Sequence, residues 1–203
     1  MKKFMSVILA GALVLSVAGC ERQDDSSVEE HNATVQSIID EIDANESKYA
    51  SAADALSAIW DEYEADFPVY GGSVENPVDG APGAVDVSDK DLLKNTLLIP
   101  DGMEVTEAAT VVHMMNGNTF TAAAIKVEGM DKYEASTALL DSFLSTQFVC
   151  GVPDRIAIGD FYGYIIIVYG EDEIIDSFKR VASEICLEDT PEGFTLADAY
   201  YVN

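Results

Sequence analysis

The chain has 203 residues, of which 37 are acidic and 11 are basic, and its formal net charge is −26 at pH 7. This charge excludes a nucleic-acid-binding surface, which needs clustered Lys and Arg, and it excludes adsorption to anionic lipid through basic residues. A hydrophobic fraction of 48% is ample for the core of one domain with an extension. The acidic surface favours solubility, and the alternative is a surface that binds cations.

The first twenty residues have the order of an export leader. A Lys pair precedes a short apolar stretch, and the stretch ends in Val17-Ala18-Gly19-Cys20. This sequence resembles the lipobox of bacterial lipoprotein signal peptides, which implies cleavage before Cys20 and attachment of lipid to it. The apolar stretch is shorter than the ~20 residues of a spanning helix. We therefore expect a signal peptide over residues 1–19 and a lipid-anchored protein that faces away from the cytoplasm.

An acidic tether and a pair of helices are predicted to follow the leader. Residues 20–32 are polar, without an apolar period. Residues 33–66 carry apolar side chains at helical spacing, first from Val35 to Ile42 and then from Leu56 to Tyr63. Ser51 and Asp54 resemble a capping box at the start of the second helix.

A segment rich in Gly and Pro, residues 67–88, comes next and predicts an irregular loop. A loop of this length typically serves a function. We expect it to border the most concave surface of the protein, near the turn at Asn116. The candidate binding surface consists of Trp60, Tyr70, Gly71, Gly72, His113 and Asn116. Ser88 is predicted to cap a short helix that ends near residue 97.

The remaining chain, residues 89–203, predicts two repeats of a hairpin followed by a helix. The first hairpin turns at Asn116-Gly117, a signal for a type I′ turn that pairs residue 113 with residue 120. Helices are predicted over residues 131–148 and 171–186, and the tail adds a candidate edge strand. We therefore expect an α+β fold in the order ββαββα, with a four-stranded antiparallel sheet and helices on one face.

Several strings in this region resemble a group of exported lipoproteins of unknown function, mainly from anaerobic Gram-positive gut bacteria. The strings are Ala81-Pro82-Gly83, the run from His113 to Phe120, the run from Cys150 to Asp154, and Tyr169-Gly170. The resemblance covers about residues 55–186. It implies an extracytoplasmic lipoprotein with a ββαββα domain, and it brings no activity, ligand or cofactor with it.

The candidate metal and phosphate sites are weak. His113, Met114 and Met115 suit copper(I), but a hairpin directs the middle residue to the opposite face, so a structural histidine is favoured. The glycine pairs lack the spacing of phosphate-binding loops. Asp86, Asp89 and their neighbours lack the central glycine of a calcium loop. We expect neither a metal nor a cofactor.

Cys150 and Cys186 form an even pair in a location that permits disulfides. We expect them to lie close together at the ends of the two helices, either as a disulfide or as two buried thiols. We expect a binding or accessory module without catalysis, attached to the membrane through Cys20, whose partner is an envelope protein or a small ligand. The alternatives are an enzyme centred on Cys150 and His113 and a cation-binding acidic surface.

Overall fold

Apolar residues follow one another along the central strands of this protein, which belong to a sheet that is covered on both faces. The computed structural model describes residues 48–187 and 195–200, all within a unit that spans residues 45–203. The predicted signal peptide, Cys20, the tether and the first helix lie outside the described residues.

The described residues form four helices and eight strands. In chain order these are α1 (Ala52–Trp60), β1 (Val69–Gly72), β2 (Pro77–Asp79), β3 (Gly83–Ala84), α2 (Lys90–Asn95), β4 (Glu104–His113), β5 (Phe120–Glu128), α3 (Lys132–Ser145), β6 (Arg155–Phe161), β7 (Tyr164–Gly170), α4 (Asp172–Leu187) and β8 (Thr195–Tyr200). The strand order is β2-β1-β4-β5-β7-β6-β8, all pairs are antiparallel, and β3 pairs with β4 beside β1. The predicted α+β class and antiparallel sheet are confirmed.

Helices cover both faces of the sheet, so the prediction of helices on one face is wrong. In β7, Ile166 and Val168 face a core that α1 and α4 close, whereas Ile165 and Ile167 face a core that α2 and α3 close. A sheet with one solvated face would leave alternate side chains of this strand in water, at a cost of about 25 cal/mol per Å² of apolar surface. The second helical layer removes that cost.

The prediction of four strands is also wrong, because residues 67–88 are not an irregular loop. They supply β1, β2 and β3. A Cβ on Gly71 would lie 2.2 Å from the amide nitrogen of Gly83, so glycine allows two backbones to touch beside β4. Pro77 begins β2 at the edge of the sheet, where a missing N–H costs no ladder hydrogen bond. The tail adds a further strand, β8, at the opposite edge.

The helix starts agree with the sequence in one case and differ in another. The Ser51 hydroxyl accepts a hydrogen bond from the Asp54 backbone N–H at 3.1 Å, which confirms the predicted cap of α1. Helix α2 is capped by Asp89 rather than by Ser88, because the Asp89 carboxylate accepts from the Leu92 N–H at 3.0 Å. Ser88 instead donates its backbone N–H to the Asp86 carboxylate at 2.9 Å, in the turn before the helix.

Candidate functional site

The residues predicted for a binding surface do not form one surface. Trp60 is buried, and its indole N–H donates to the carbonyl oxygen of Gly80 at 3.0 Å. Gly71 and Gly72 lie buried beside β3. Tyr70 is half-buried in a cavity of about 490 Å³, which it shares with Val74, Pro77, Asp79 and Met114. Trp60 lines a separate cavity of about 350 Å³, so two of these four predicted residues, Trp60 and Tyr70, border space that a ligand could reach.

His113 and Asn116 organise the connection between β4 and β5. The Nδ1 atom of His113 accepts the backbone N–H of Met115 at 3.2 Å and that of Asn116 at 3.1 Å. The His113 ring lies 5.4 Å from the ring of Phe67. These two hydrogen bonds hold the loop after β4, so the side chain has a structural role here. The predicted pairing register is confirmed, but the turn runs from residue 116 to residue 119 instead of closing over two residues.

The same connection holds the segment that contains Cys150. The Asn116 amide donates to the carbonyl oxygen of Cys150 at 3.1 Å, and the Asn118 amide donates to that of Gly151 at 2.7 Å. Cys150 is exposed, has a φ of +68°, and its thiol is free. Among the described residues, no hydrogen bond joins the side chains of Cys150 and His113.

The structure does not bring Cys150 and Cys186 together. Cys186 is buried in the core that α1 and α4 close. Its neighbour Ile185 accepts a hydrogen bond from Tyr162, which lies in the β6–β7 turn, whereas Cys150 is tied to the β4–β5 connection at the other end of the sheet. The predicted proximity fails because α3, which precedes Cys150, and α4, which contains Cys186, lie on opposite faces of the sheet.

A groove of about 840 Å³ lies between α4 and the segment that follows α1, and we call it the acidic groove. It is lined by Glu62, Tyr63, Glu64, Asp66, Phe67, Glu173, Ile174, Ser177, Arg180, Val181, Glu184 and Ile185. All five carboxylate residues of this set are exposed. Of the lining residues in the described part of the chain, Arg180 alone is cationic, and it pairs with Glu184 at 3.1 Å. The groove therefore carries a clear excess of negative charge.

Aromatic rings form the floor of the acidic groove. Tyr63 and Phe67 are half-buried, and their rings lie 6.2 Å and 5.4 Å from the ring of Phe120 in the core. Burial, and then the nearby charge of Asp66, raises the pKa of Tyr63, so its hydroxyl remains neutral around pH 7. The groove thus combines an apolar floor with anionic walls.

The groove continues along the protein through two smaller cavities. A cavity of about 350 Å³ shares Tyr63, Glu64 and Phe67 with the groove and extends to Asp79. Asp79 also lines the cavity beside Tyr70 and Met114. The segment 67–88 therefore borders this extension, while the larger groove itself lies further along, against α4.

The sequence carries a signal for the groove that was not used. In residues 62–67 acids alternate with Tyr63, Ala65 and Phe67, and the acids are exposed while the other three side chains are half-buried. Alternation of this kind is typical of an extended segment with one face on a core. The predicted helical region over residues 33–66 included this segment, and that prediction is wrong at its end, because α1 ends at Trp60.

A second charged cluster surrounds Arg155, which is only 5% exposed. Its guanidinium lies 3.0 Å from Asp172 and 3.6 Å from Asp198, and it donates a hydrogen bond to Asp176. It also donates to the Tyr200 hydroxyl at 3.1 Å. Although burial opposes the charged form, the hydrogen bond to Asp176 and the surrounding carboxylates raise the pKa of Arg155. This cluster joins β6, α4 and β8.

Neither a metal centre nor a membrane span is found in the part of the chain that the structure describes. No group of three or more His, Cys, Asp or Glu side chains there could hold a metal ion. No helix of residues 48–187 is long and apolar enough to cross a bilayer.

Asp86, which the sequence analysis compared with a calcium loop, is engaged with its neighbour. Its carboxylate accepts hydrogen bonds from Ser88, and these hydrogen bonds lower the pKa of Asp86.

No protein-family model, curated protein or solved structure matches the chain.

Proposed function

We propose that the protein is a lipid-anchored binding module that faces away from the cytoplasm and has no catalytic role. The observation that carries this proposal is the acidic groove, a concave surface with anionic walls and an aromatic floor. Its volume of about 840 Å³ is within the range of ligand-binding clefts. Among the described residues, the lining of the groove contains neither histidine nor cysteine, so the groove lies apart from the alternative enzyme site at Cys150 and His113.

The leader sequence supports the anchored location. A lipid on Cys20 would fix the chain to the membrane, and processing of lipoproteins attaches more than one acyl chain, as stable anchoring requires. The predicted tether, residues 20–32, would hold the domain off the membrane, so that the groove could meet partners outside the bilayer.

The location is tested by fractionating cells that express the full chain with Cys20 or with Cys20→Ala. We expect the wild-type protein in the membrane fraction and open to protease added to intact cells. The Cys20→Ala variant should appear in the medium or accumulate as an uncleaved precursor. Tight membrane retention of Cys20→Ala without precursor would contradict the proposal.

The absence of a catalytic role is tested separately with the purified protein. Turnover of any envelope substrate that His113→Ala or Cys150→Ala removes, without loss of the folded circular dichroism signal, would establish the enzyme in place of the binding module.

A further inference from the structure

We infer that the acidic groove binds a basic protein segment that also carries apolar side chains. This inference rests on the proposed binding role of the groove and names the class of its ligand. It follows from three features of the groove: the sign of its charge, the spread of its carboxylates, and its aromatic floor.

The negative charges on the two sides of the groove are complementary to a ligand with several cationic groups. Glu62, Glu64 and Asp66 line one side, and Glu173 and Glu184 belong to α4 on the other. Arg180, the one cation in this lining, is already paired with Glu184. Complementary charge speeds encounter and excludes partners of the same sign. A second copy of this chain, with its net charge of −26, would be repelled.

The spacing of these carboxylates does not suit a single metal ion. Within the described residues, they form no group of three that could hold a metal. They instead alternate along residues 62–67, so every second side chain projects a charge. Lys or Arg side chains distributed along a peptide match a row of this kind, because each cation meets a separate carboxylate.

The floor of the groove distinguishes a peptide from a small polycation such as spermine. Tyr63, Phe67 and Ile174 are half-buried in the groove and offer apolar contact area between the anionic walls. Burying such area stabilises a complex, although the costs of association offset part of the gain. A polyamine has no side chain to fill this floor, whereas a segment with Leu or Phe between its basic residues does.

The inference is tested with the full-length chain carrying Cys20→Ala and a fluorescent peptide of about twelve residues, enough for about three helical turns, that combines Lys and Leu. We expect saturable binding, which weakens when Ser replaces each Leu and disappears when Glu replaces each Lys. Raising the salt from about 0.05 M to about 0.5 M should also weaken it, because the exposed carboxylates are screened.

The position of the peptide-binding site on the protein is tested by neutralising three acids of the acidic groove together, as Glu62→Gln, Glu64→Gln and Asp66→Asn. The matched control neutralises three exposed acids elsewhere, as Asp91→Asn, Glu128→Gln and Glu134→Gln. Both variants lose the same charge. We expect the groove variant to weaken binding about tenfold and the control about twofold or less.

Several results would overturn the inference. Equal losses of peptide affinity in the groove variant and in the control variant would mean that net charge alone attracts the peptide. Equal affinity for spermine, or for Ca²⁺, would show a simple cation-binding surface. A failure to bind the Lys and Leu peptide would contradict the inference directly, because that peptide has both the charge and the apolar side chains that the groove is inferred to recognise. None of these results bears on the membrane location of the wild-type chain, so the inference and the proposed function fail separately.

Discussion

Two groups of acidic side chains in this protein have opposite surroundings. Around Arg155, three aspartates from α4 and β8 lie against one buried guanidinium. In the acidic groove, five exposed carboxylates share a single arginine, which lies on the rim beside Glu184. The first group holds elements of the fold together, and the second leaves most of its charge uncompensated.

The comparison indicates which acids serve folding and which are available to a ligand. A buried charge destabilises the folded state unless partners surround it, so the acids near Arg155 are required once that arginine is buried. Uncompensated acids close to one another repel and stabilise nothing by themselves. Their placement around an aromatic floor is therefore better explained by binding than by folding.

Arg155→Met should give the largest effect. It removes the buried guanidinium that Asp172, Asp176 and Asp198 share, and it leaves Lys179, which pairs with Asp198, as the neighbouring cation. We expect a loss of about 3 kcal/mol in the free energy of unfolding, measured with urea, moderated by the solvent exposure of Asp176.

Arg180→Met provides the matched control, because Arg180 and Glu184 are both more than 60% exposed. It should change the unfolding free energy by less than about 0.5 kcal/mol. If Arg155→Met and Arg180→Met lowered the free energy of unfolding by similar amounts, the two groups of acids would not differ in their contribution to folding.

The pH dependence of stability should also separate the groups. The hydrogen bond from Arg155 is the main cause that lowers the pKa of Asp176 below its ordinary value of 3.8. Its folded pKa is thus below its unfolded pKa, so its contribution is complete above pH 3.8 and is lost as the pH falls through the folded pKa. Urea unfolding from pH 6 to about pH 2 should show a weaker acid-side decline in Arg155→Met than in the wild type.

Neutralising the groove should have the smallest effect on stability. The variant with Glu62→Gln, Glu64→Gln and Asp66→Asn should match the wild type within about 0.5 kcal/mol, or exceed it slightly, because repulsion is relieved. Asp172→Asn with Asp198→Asn should destabilise the protein, since both partners contact the buried Arg155. A large loss of unfolding free energy in the groove variant would show that the groove acids stabilise the folded state.

The sequence predicted the features that depend on local spacing. The cap at Ser51, the register of β4 with β5, and the extra strand at the tail all follow from short patterns that the structure confirms. These patterns act within a few residues, so they can be read without knowledge of the tertiary contacts.

The features that depend on contacts distant in sequence were missed. The close approach of Gly71 to Gly83 converted an apparent loop into strands. The continuous apolar run of β7 was a readable sign of two buried faces, because a sheet with one wet face alternates. The burial of Arg155 could not be predicted, since its three carboxylates come from two other elements.

The most direct test of the account is to locate a bound basic peptide on the protein. A Lys and Leu peptide that carries a photoreactive group is cross-linked to the full-length Cys20→Ala chain, and the adducts are mapped by mass spectrometry. The account predicts adducts in residues 62–67 and on α4 between Glu173 and Ile185. Adducts concentrated instead on the exposed Met115 and Val149, at the end of the sheet, would contradict it.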